Sequence, residues 1–232
     1  GAQEFINRNP RYCLYVSEVV PSELRKMPLV MQRIENVRKY RLKSRSQGTV
    51  NLAKFPTKFH VTNIPKSTYL IIPETSSENR EYIPIGFMQP VALCSNAVRI
   101  LPNATLYHFG VLTSSAHMAW MRTVAGRLKS DYRYSKDIVY NNFPWPEKTE
   151  ETVAQIEKTA QAILDTRANY PDRSYADLYD PLFMPSDLRK AHTANDKAVW
   201  EAYGKAWPFD DEPACVAHLM KLYQQLTSQP NL

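Results

Sequence analysis

The chain has 232 residues, 44% hydrophobic and 11% aromatic, which is enough for one sizeable core or two modest ones and excludes disorder as the main interpretation. The mean hydropathy is -0.45, and no apolar run approaches the roughly 18 residues of a membrane span. The first residues also lack the features of a secretory signal. These observations predict a cytoplasmic protein with no membrane contact. Residues 1–146 carry 20 basic and 9 acidic side chains, whereas residues 147–232 carry 9 and 14. This asymmetry suggests two domains, the first with the charge of a polyanion binder.

The first predicted elements surround the densest positive stretch of the chain. Residues 11–16 alternate in polarity, which predicts a strand. Pro21 marks the start of a short helix, and Pro28 suits the first turn of a longer helix over residues 29–44. Eight basic residues oppose the single acid Glu35 between positions 25 and 45: Arg25, Lys26, Arg33, Arg38, Lys39, Arg41, Lys43 and Arg45.

Short β-rich runs separated by proline, asparagine and serine follow. They predict five strands, at residues 59–62, 68–72, 82–87, 97–101 and 106–112. Their spacing, framed by helical segments, predicts an α+β domain with a mixed, mostly antiparallel sheet. Pro73 and Pro84 indicate sheet edges or strand ends at those points.

A helix is predicted after Thr113, where either of two serines can cap it. The apolar spacing continues this helix into a basic end that holds Arg122, Arg127, Lys129 and Arg133. Two prolines around Trp145 then stop any regular element. We therefore place a domain boundary after Pro146.

Helices dominate the predicted second domain, residues 147–232. Apolar residues recur at helical spacing in segments 153–163, 188–202 and 216–226, which predicts a small all-α bundle. Ser174 and Asp177 resemble a capping box. The acidic residues at the helix starts suit the helix dipole, so much of this charge has a structural explanation.

The sequence lacks the motifs of an independent enzyme. Its five histidines form no HExxH motif and no other metal-ligand pair with a carboxylate. Its six glycines include no phosphate-binding loop for a nucleotide or for S-adenosylmethionine. The segment Asn9-Pro10-Arg11-Tyr12 departs from the [DN]PP[YF] motif of amino-methyltransferases at its second proline. We therefore predict no catalytic residue, no metal site and no cofactor in this chain.

A polar turn between two predicted strands offers candidates for contact with bases. Arg80 and Glu81 lie in this turn, and Arg can bind guanine through two hydrogen bonds while Glu can accept from the amino group of cytosine. The simpler interpretation is a solvated turn. Basic clusters elsewhere can neutralise phosphates without sequence preference.

Several blocks along the chain carry a family resemblance. They are RYCL at 11–14, RIENVR at 33–38, SSENREYIP at 76–84, GRLKSDYRYS at 126–135, YNNFPWP at 140–146 and LYDP at 178–181. Together they resemble the C-terminal part of the MmeI-like bifunctional restriction-modification enzymes. Members of this family join a nuclease, an adenine-specific DNA methyltransferase, a target-recognition domain and a C-terminal helical region in one chain.

The resemblance implies a role for each part of the chain. Residues 1–146 would be a target-recognition domain that binds duplex DNA, and residues 147–232 a C-terminal helical domain. The methyltransferase and nuclease would lie upstream in the same bacterial polypeptide and would use S-adenosylmethionine and Mg²⁺. The base-reading candidates are Arg80, Glu81, Lys43 and Arg45, and the phosphate-contact candidates are Arg38, Arg41, Arg127, Lys129 and Arg133.

Two alternatives to DNA recognition stay open at this point. Asp177, Asp180 and Asp187 could belong to a nuclease, although these acids fit helix starts better. The acidic helical half could instead be a docking module that packs on the methyltransferase core without reading bases.

Overall fold

The computed structural model describes residues 1–60, 65–206 and 211–228. Its chain forms a larger unit, residues 1–10 with 65–232, and a smaller unit, residues 11–64. None of the helices within these described residues is long and apolar enough to cross a membrane. The domain boundary predicted after Pro146 refers to segments of the sequence and not to these two units, and it stays a prediction.

Two three-stranded antiparallel sheets lie in the described part of the larger unit. In the first, β1 (Tyr69–Pro73) is the central strand between β3 (Gly86–Met88) and β4 (Val98–Pro102). In the second, β6 (Asp131–Arg133) is the central strand between β2 (Thr75–Ser76) and β5 (Gly126–Leu128). The antiparallel pairing, with helices before and after it, confirms the predicted α+β class.

The helices of the larger unit are mostly those that the apolar spacing predicts. They are α1 (Ala2–Ile6), α5 (Leu106–Leu112), α6 (Ser115–Val124), α7 (Glu150–Ala168), α8 (Tyr175–Leu178), α9 (Ser186–Ala202) and α10 (Glu212–Ser228). Ser114 caps α6, and the predicted capping box of Ser174 and Asp177 begins α8. Gly204, with φ of 69°, follows the end of α9 and adopts a conformation that favours glycine.

One hydrophobic core joins α5 and α6 to α7, α9 and α10. Its largest fully buried side chains include Trp120 of α6 and Trp200 of α9. A Cβ atom on Gly110 would lie 2.6 Å from Ile156 Cγ2, so glycine lets α5 approach α7 closely. Burial of each large apolar side chain stabilises such a core by about 1.5–3 kcal/mol.

The predicted strand at 106–112 is wrong, because this segment is helix α5. Five of its seven residues are buried, so polarity does not reveal whether the period is two or 3.6. The helix start is fixed locally, since the Thr105 amide donates to His108 Nδ1 over 3.1 Å in a capping box.

Four further predictions of local structure need correction. Residues 11–16 form no strand, and Tyr12 is 92% exposed, because alternation alone supplies no partner strand. Residues 59 and 60 are not in a strand, and the rest of segment 59–62 lies outside the described residues. The strand predicted over 82–87 is limited to β3, which begins at Gly86. The helix after Thr113 ends at Val124, so its predicted basic end is instead the hairpin of β5 and β6.

The smaller unit contains α2 (Pro21–Leu24), α3 (Pro28–Leu42), α4 (Gln47–Asn51) and a 3₁₀ turn (Leu52–Lys54). The first two helices confirm the prediction from Pro21 and Pro28. No residue of α3 is buried. This unit therefore differs from the larger one, in which helices share a closed apolar core.

Candidate nucleic-acid interface

The basic candidates for DNA contact in the larger unit lie on one small sheet and on the turn beside it. In the ladder, Thr75 of β2 pairs with Arg133 of β6, and Arg127 of β5 pairs with Tyr132. Residues 77–80 follow β2 and form a turn. We call this turn and the hairpin of β5 and β6 (residues 126–133) the hairpin surface.

Arg127 lies over the ring of Tyr132 on the hairpin surface. Its guanidinium lies 3.8 Å from the ring centroid of Tyr132, and Nη1 donates to the Ser130 carbonyl over 2.6 Å. Its ion pair with Glu78 is 3.5 Å long, with both side chains 44% exposed. Exposed pairs of this kind contribute about 0–1 kcal/mol, so a phosphate can compete for Arg127.

Arg133 shares one acid with a second arginine. Glu74 Oε1 accepts from Arg133 Nε at 3.0 Å, while Glu74 Oε2 lies 3.1 Å from Arg99 Nη2. Glu74 is mostly covered, whereas 59% of the Arg133 side chain is exposed. Two cations around one carboxylate leave a positive charge on this edge of the sheet.

Lys129 occupies the turn between β5 and β6 in a left-handed conformation, with φ of 57°. This conformation costs about 1–3 kcal/mol for a residue other than glycine. The side chain is exposed and makes no hydrogen bond or ion pair within the described residues. The hairpin thus presents an unpaired cation at a strained position, where glycine would be more stable.

Arg80 is half-buried at the end of the turn. Its side chain has no hydrogen-bond partner among the residues that the structure describes. Burial lowers its pKa, and the nearby charges of Asp180 and Asp131 oppose this effect. Because arginine stays protonated in proteins, a partly desolvated guanidinium here favours an incoming hydrogen-bond acceptor.

Glu81, the second candidate in this region, already has an intramolecular partner. Its carboxylate pairs with Arg189 of α9, and its carbonyl accepts from Arg122 Nη2 at 2.7 Å. Its proposed contact with a base stays a prediction.

The other four candidates belong to the smaller unit. Arg41 donates to the carbonyls of Leu52 and Phe55, both at 3.0 Å, and to that of Lys58, so its guanidinium holds α3 to the segment that follows. Arg38 makes two hydrogen bonds to Glu35, which raise the pKa of the arginine. Lys43 and Arg45 are exposed just beyond α3, and their side chains make no hydrogen bond or ion pair within the part of the chain that the structure describes.

The carboxylates considered for a nuclease have local structural partners. Asp177 accepts from Ser174, Asp180 accepts from the Leu182 amide at 2.9 Å, and Asp187 accepts from the Tyr170 hydroxyl at 2.8 Å. Within residues 1–60, 65–206 and 211–228, no group of three or more His, Cys, Asp or Glu could hold a metal ion. The sequence also lacks a glycine-rich loop for S-adenosylmethionine.

The acids that lie among these cations, and the contribution of α9, were not predicted from the sequence. Glu74, Glu78 and Asp131 lie among the arginines, but their pairing depends on strand register. Arg189 and Asp196 of α9 also escaped notice. Their separation by seven residues, two turns of one helix face, was the available signal.

The fold and the surface define a class of protein, an α+β module with a cationic hairpin of the kind that recognises nucleic acids. A comparison with sequence models of known families identifies this class more specifically than the fold and the surface do. The MmeI target recognition domain matches residues 1–147, and the MmeI C-terminal domain matches residues 148–230. The chain belongs to the MmeI family, which confirms the resemblance drawn from its motifs.

Two known proteins are similar to nearly the whole chain. DNA methyltransferase A of Bacillus subtilis (strain 168) is 38% identical over 229 residues, which cover 99% of this chain and 26% of that protein. A solved structure of the Type IIL restriction-modification enzyme MmeI in complex with DNA has a TM-score of 0.94 and 49% identity. It covers 98% of this chain, which spans 30% of that chain. The present chain thus has less than a third of the length of either relative.

Proposed function

We propose that this chain is the DNA-recognition part of a longer restriction-modification enzyme of the bacterial cytoplasm. It binds duplex DNA and presents it for adenine-N6 methylation and for cleavage by domains upstream in the same polypeptide. The observation that carries the proposal is the hairpin surface, which gathers four cations on one sheet and its adjoining turn. The similarity to a restriction-modification enzyme solved with DNA supports it.

The environments of the candidate residues favour different roles. Arg127, Lys129 and Arg133 are exposed and suit phosphate contact, as does Arg38 in the smaller unit. Arg80 is half-buried and makes no side-chain hydrogen bond to the residues that the structure describes, which suits directional hydrogen bonds to a base. Glu81, Lys43 and Arg45 remain base-reading candidates. Arg41 is the weakest phosphate candidate, because three backbone carbonyls occupy its donors.

We assign the chemistry of methylation and cleavage to the missing upstream portion. S-adenosylmethionine and Mg²⁺ would be bound there. This chain supplies the grip on DNA and the choice of site, so it needs no cofactor for its own part of the reaction.

Selection of duplexes from a random DNA pool at moderate salt tests the proposal. We expect the chain to enrich a short sequence motif and to bind less tightly as salt increases. Arg127→Gln should reduce the slope of log affinity against log salt by about 0.9, the value for one phosphate contact in B-DNA. Lys158→Gln, on the exposed face of α7, is the matched control and should leave the slope unchanged. Failure to retain any duplex would refute the proposal.

A second candidate role is docking on the methyltransferase domain of the same polypeptide. The smaller unit favours it, because Leu29 and Tyr40 are 74% and 77% exposed and α3 buries no residue. Exposed apolar side chains at this density are typical of a surface that a partner covers. Calorimetric titration with a separately produced methyltransferase domain tests this role, and no heat of binding would refute it.

A further inference from the structure

The turn of the hairpin surface is tied down at both ends. Within it, Ser77 Oγ accepts from the Asn79 amide at 3.3 Å, and the Ser77 carbonyl accepts from the Arg80 amide at 3.2 Å. The pairing of β2 with β6 fixes its first end. Its second end continues directly into Glu81 and Tyr82, which both contact α9.

Three residues of α9 make these contacts, at positions i, i+3 and i+7 of one helix face. Arg189 forms the ion pair with the Glu81 carboxylate. The His192 ring stacks on the Tyr82 ring, with centroids 4.1 Å apart and planes 24° from parallel. Asp196 Oδ2 accepts from the Tyr82 hydroxyl at 2.7 Å.

The inner part of this support is buried and hydrogen-bonded. Tyr82, His192 and Asp196 are each less than 5% exposed, and the Ser115 amide at the start of α6 donates to Asp196 Oδ1 over 2.6 Å. Burial lowers the pKa of His192 well below its usual value, so the ring that stacks on Tyr82 is neutral. The buried hydrogen bonds that Asp196 accepts from Tyr82 and Ser115 favour a single arrangement.

The outer part of the support is accessible and involves two more helices. The side chains of Glu81 and Arg189 are 47% and 42% exposed. Arg122 of α6 donates to the Glu81 carbonyl and pairs with Glu212 of α10 at 2.8 Å. Because exposed ion pairs contribute only about 0–1 kcal/mol to stability, Arg189 can be changed without unfolding the chain.

We propose that Arg189, His192 and Asp196 are positioning residues for DNA sequence recognition. They fix Glu81 and Tyr82, and thereby the direction in which the Arg80 side chain leaves the turn. The inference rests on the proposed function, because it assumes that the hairpin surface meets DNA. Base discrimination depends on directional hydrogen bonds, whereas attraction to phosphates tolerates displacement. Loosening the support therefore lowers sequence discrimination and leaves nonspecific binding intact.

Two neighbouring residues of α9 provide a matched test on the whole chain. Arg189→Gln and Lys190→Gln each remove one positive charge, but the exposed Lys190 side chain makes no hydrogen bond or ion pair with residues 77–82. Affinity is measured at several salt concentrations for the duplex selected by the wild type and for a scrambled duplex. We expect Arg189→Gln to lower the affinity ratio by up to about fivefold, because an exposed ion pair such as the one it removes contributes no more than this. Its affinity for the scrambled duplex and its salt slope should match those of Lys190→Gln.

Tyr82→Phe adds an independent variant, because it removes one hydroxyl and keeps the stacked ring. It should also lower the affinity ratio. An unchanged ratio in Arg189→Gln and Tyr82→Phe, with selective binding by the wild type, would overturn the inference and leave the proposed function standing. No binding by the wild type would overturn both.

Hydrogen exchange decides the case in which the wild type binds duplexes without selectivity. The amides of residues 77–80 should exchange faster in Arg189→Gln than in Lys190→Gln, because only the first variant releases the turn. Equal exchange in the two variants would overturn the inference.

Discussion

The hairpin surface and helix α3 are both rich in basic residues, yet they use their arginines differently. On the hairpin surface, Arg127 and Arg133 pair with acids at exposed positions, where a phosphate can replace the partner. Near the end of α3, Arg41 donates to three backbone carbonyls and links this helix to the segment that follows it. The density of positive charge therefore predicts a polyanion binder, but the intramolecular partners of each cation determine which side chains a polyanion can reach.

The largest expected contrast between the two units is in the effect of one substitution, leucine to alanine. Leu188 of α9 is fully buried, whereas Leu29 of α3 is 74% exposed. Leu188→Ala should lower the free energy of unfolding by about 2–5 kcal/mol, because it leaves a cavity in the core. Leu29→Ala should change it by less than about 0.5 kcal/mol. Urea denaturation measures both, and similar losses would mean that α3 belongs to a core.

The pH dependence of stability sharpens the contrast in electrostatics. Burial raises the pKa of Asp196 to about 7, although the Tyr82 hydroxyl and the Ser115 amide both favour the carboxylate. A carboxyl whose pKa is higher in the folded state binds its proton more tightly there. Its contribution to stability is therefore complete below the ordinary pKa near 4 and is lost as pH rises through about 7.

Asp196→Asn should remove this dependence, since asparagine has no proton to lose. Thermal unfolding between pH 5 and pH 8 checks it: the wild type should lose more stability than the variant over that range. Glu35→Gln, which removes an exposed carboxyl in the smaller unit, is the control and should keep the wild-type profile. Parallel profiles for wild type and Asp196→Asn would contradict the assignment.

Two arginines one helical turn apart on α3 test the structural role of Arg41. Arg41→Gln breaks three hydrogen bonds to carbonyls and should destabilise the smaller unit by about 1–3 kcal/mol. Arg38→Gln breaks an exposed pair with Glu35 and should change stability by less than about 1 kcal/mol. Hydrogen exchange of the amides in α3 reports the difference. If Arg38→Gln has the larger effect, Arg41 does not hold this unit together.

The smallest expected effect concerns the strained turn of the hairpin. Lys129→Gly relieves the left-handed conformation and should raise stability by less than about 1 kcal/mol. Lys129→Asn removes the same charge and gains less, because asparagine tolerates this conformation less freely than glycine. Both variants should reduce the salt slope of DNA binding equally. A difference in slope between them would mean that backbone strain, and not the charge, sets the contact.

The longer helices and two of the strands could be predicted because their signals are local. Proline at the start of α3 and apolar spacing in α7, α9 and α10 identify these helices, and β-branched runs identify β1 and β4. The segment of α5 was predicted as a strand because its residues are buried on nearly every side. Residues 11–16 show the opposite error, since alternation without a partner strand forms no sheet.

The site was predictable in its composition but not in its contacts. The sequence identifies Arg80 in a polar turn, and it identifies Arg127, Lys129 and Arg133 as a basic cluster at the end of a predicted helix. The sequence cannot show that Arg41 donates to backbone carbonyls, because every residue carries a carbonyl of this kind. The support from α9 was hidden for another reason, since Tyr82 and Asp196 lie 114 positions apart in the chain.

That separation has a consequence for exchanging specificities between relatives. A graft of residues 76–82 into another member of the family would transfer the proposed base contact but leave its support on α9 behind. Under this proposal the segment that must be transferred is discontinuous, because it includes positions 189, 192 and 196. Recombination that moves only residues 76–82 should yield hybrids that bind DNA with reduced sequence discrimination. A second crossover within α9 should restore this discrimination.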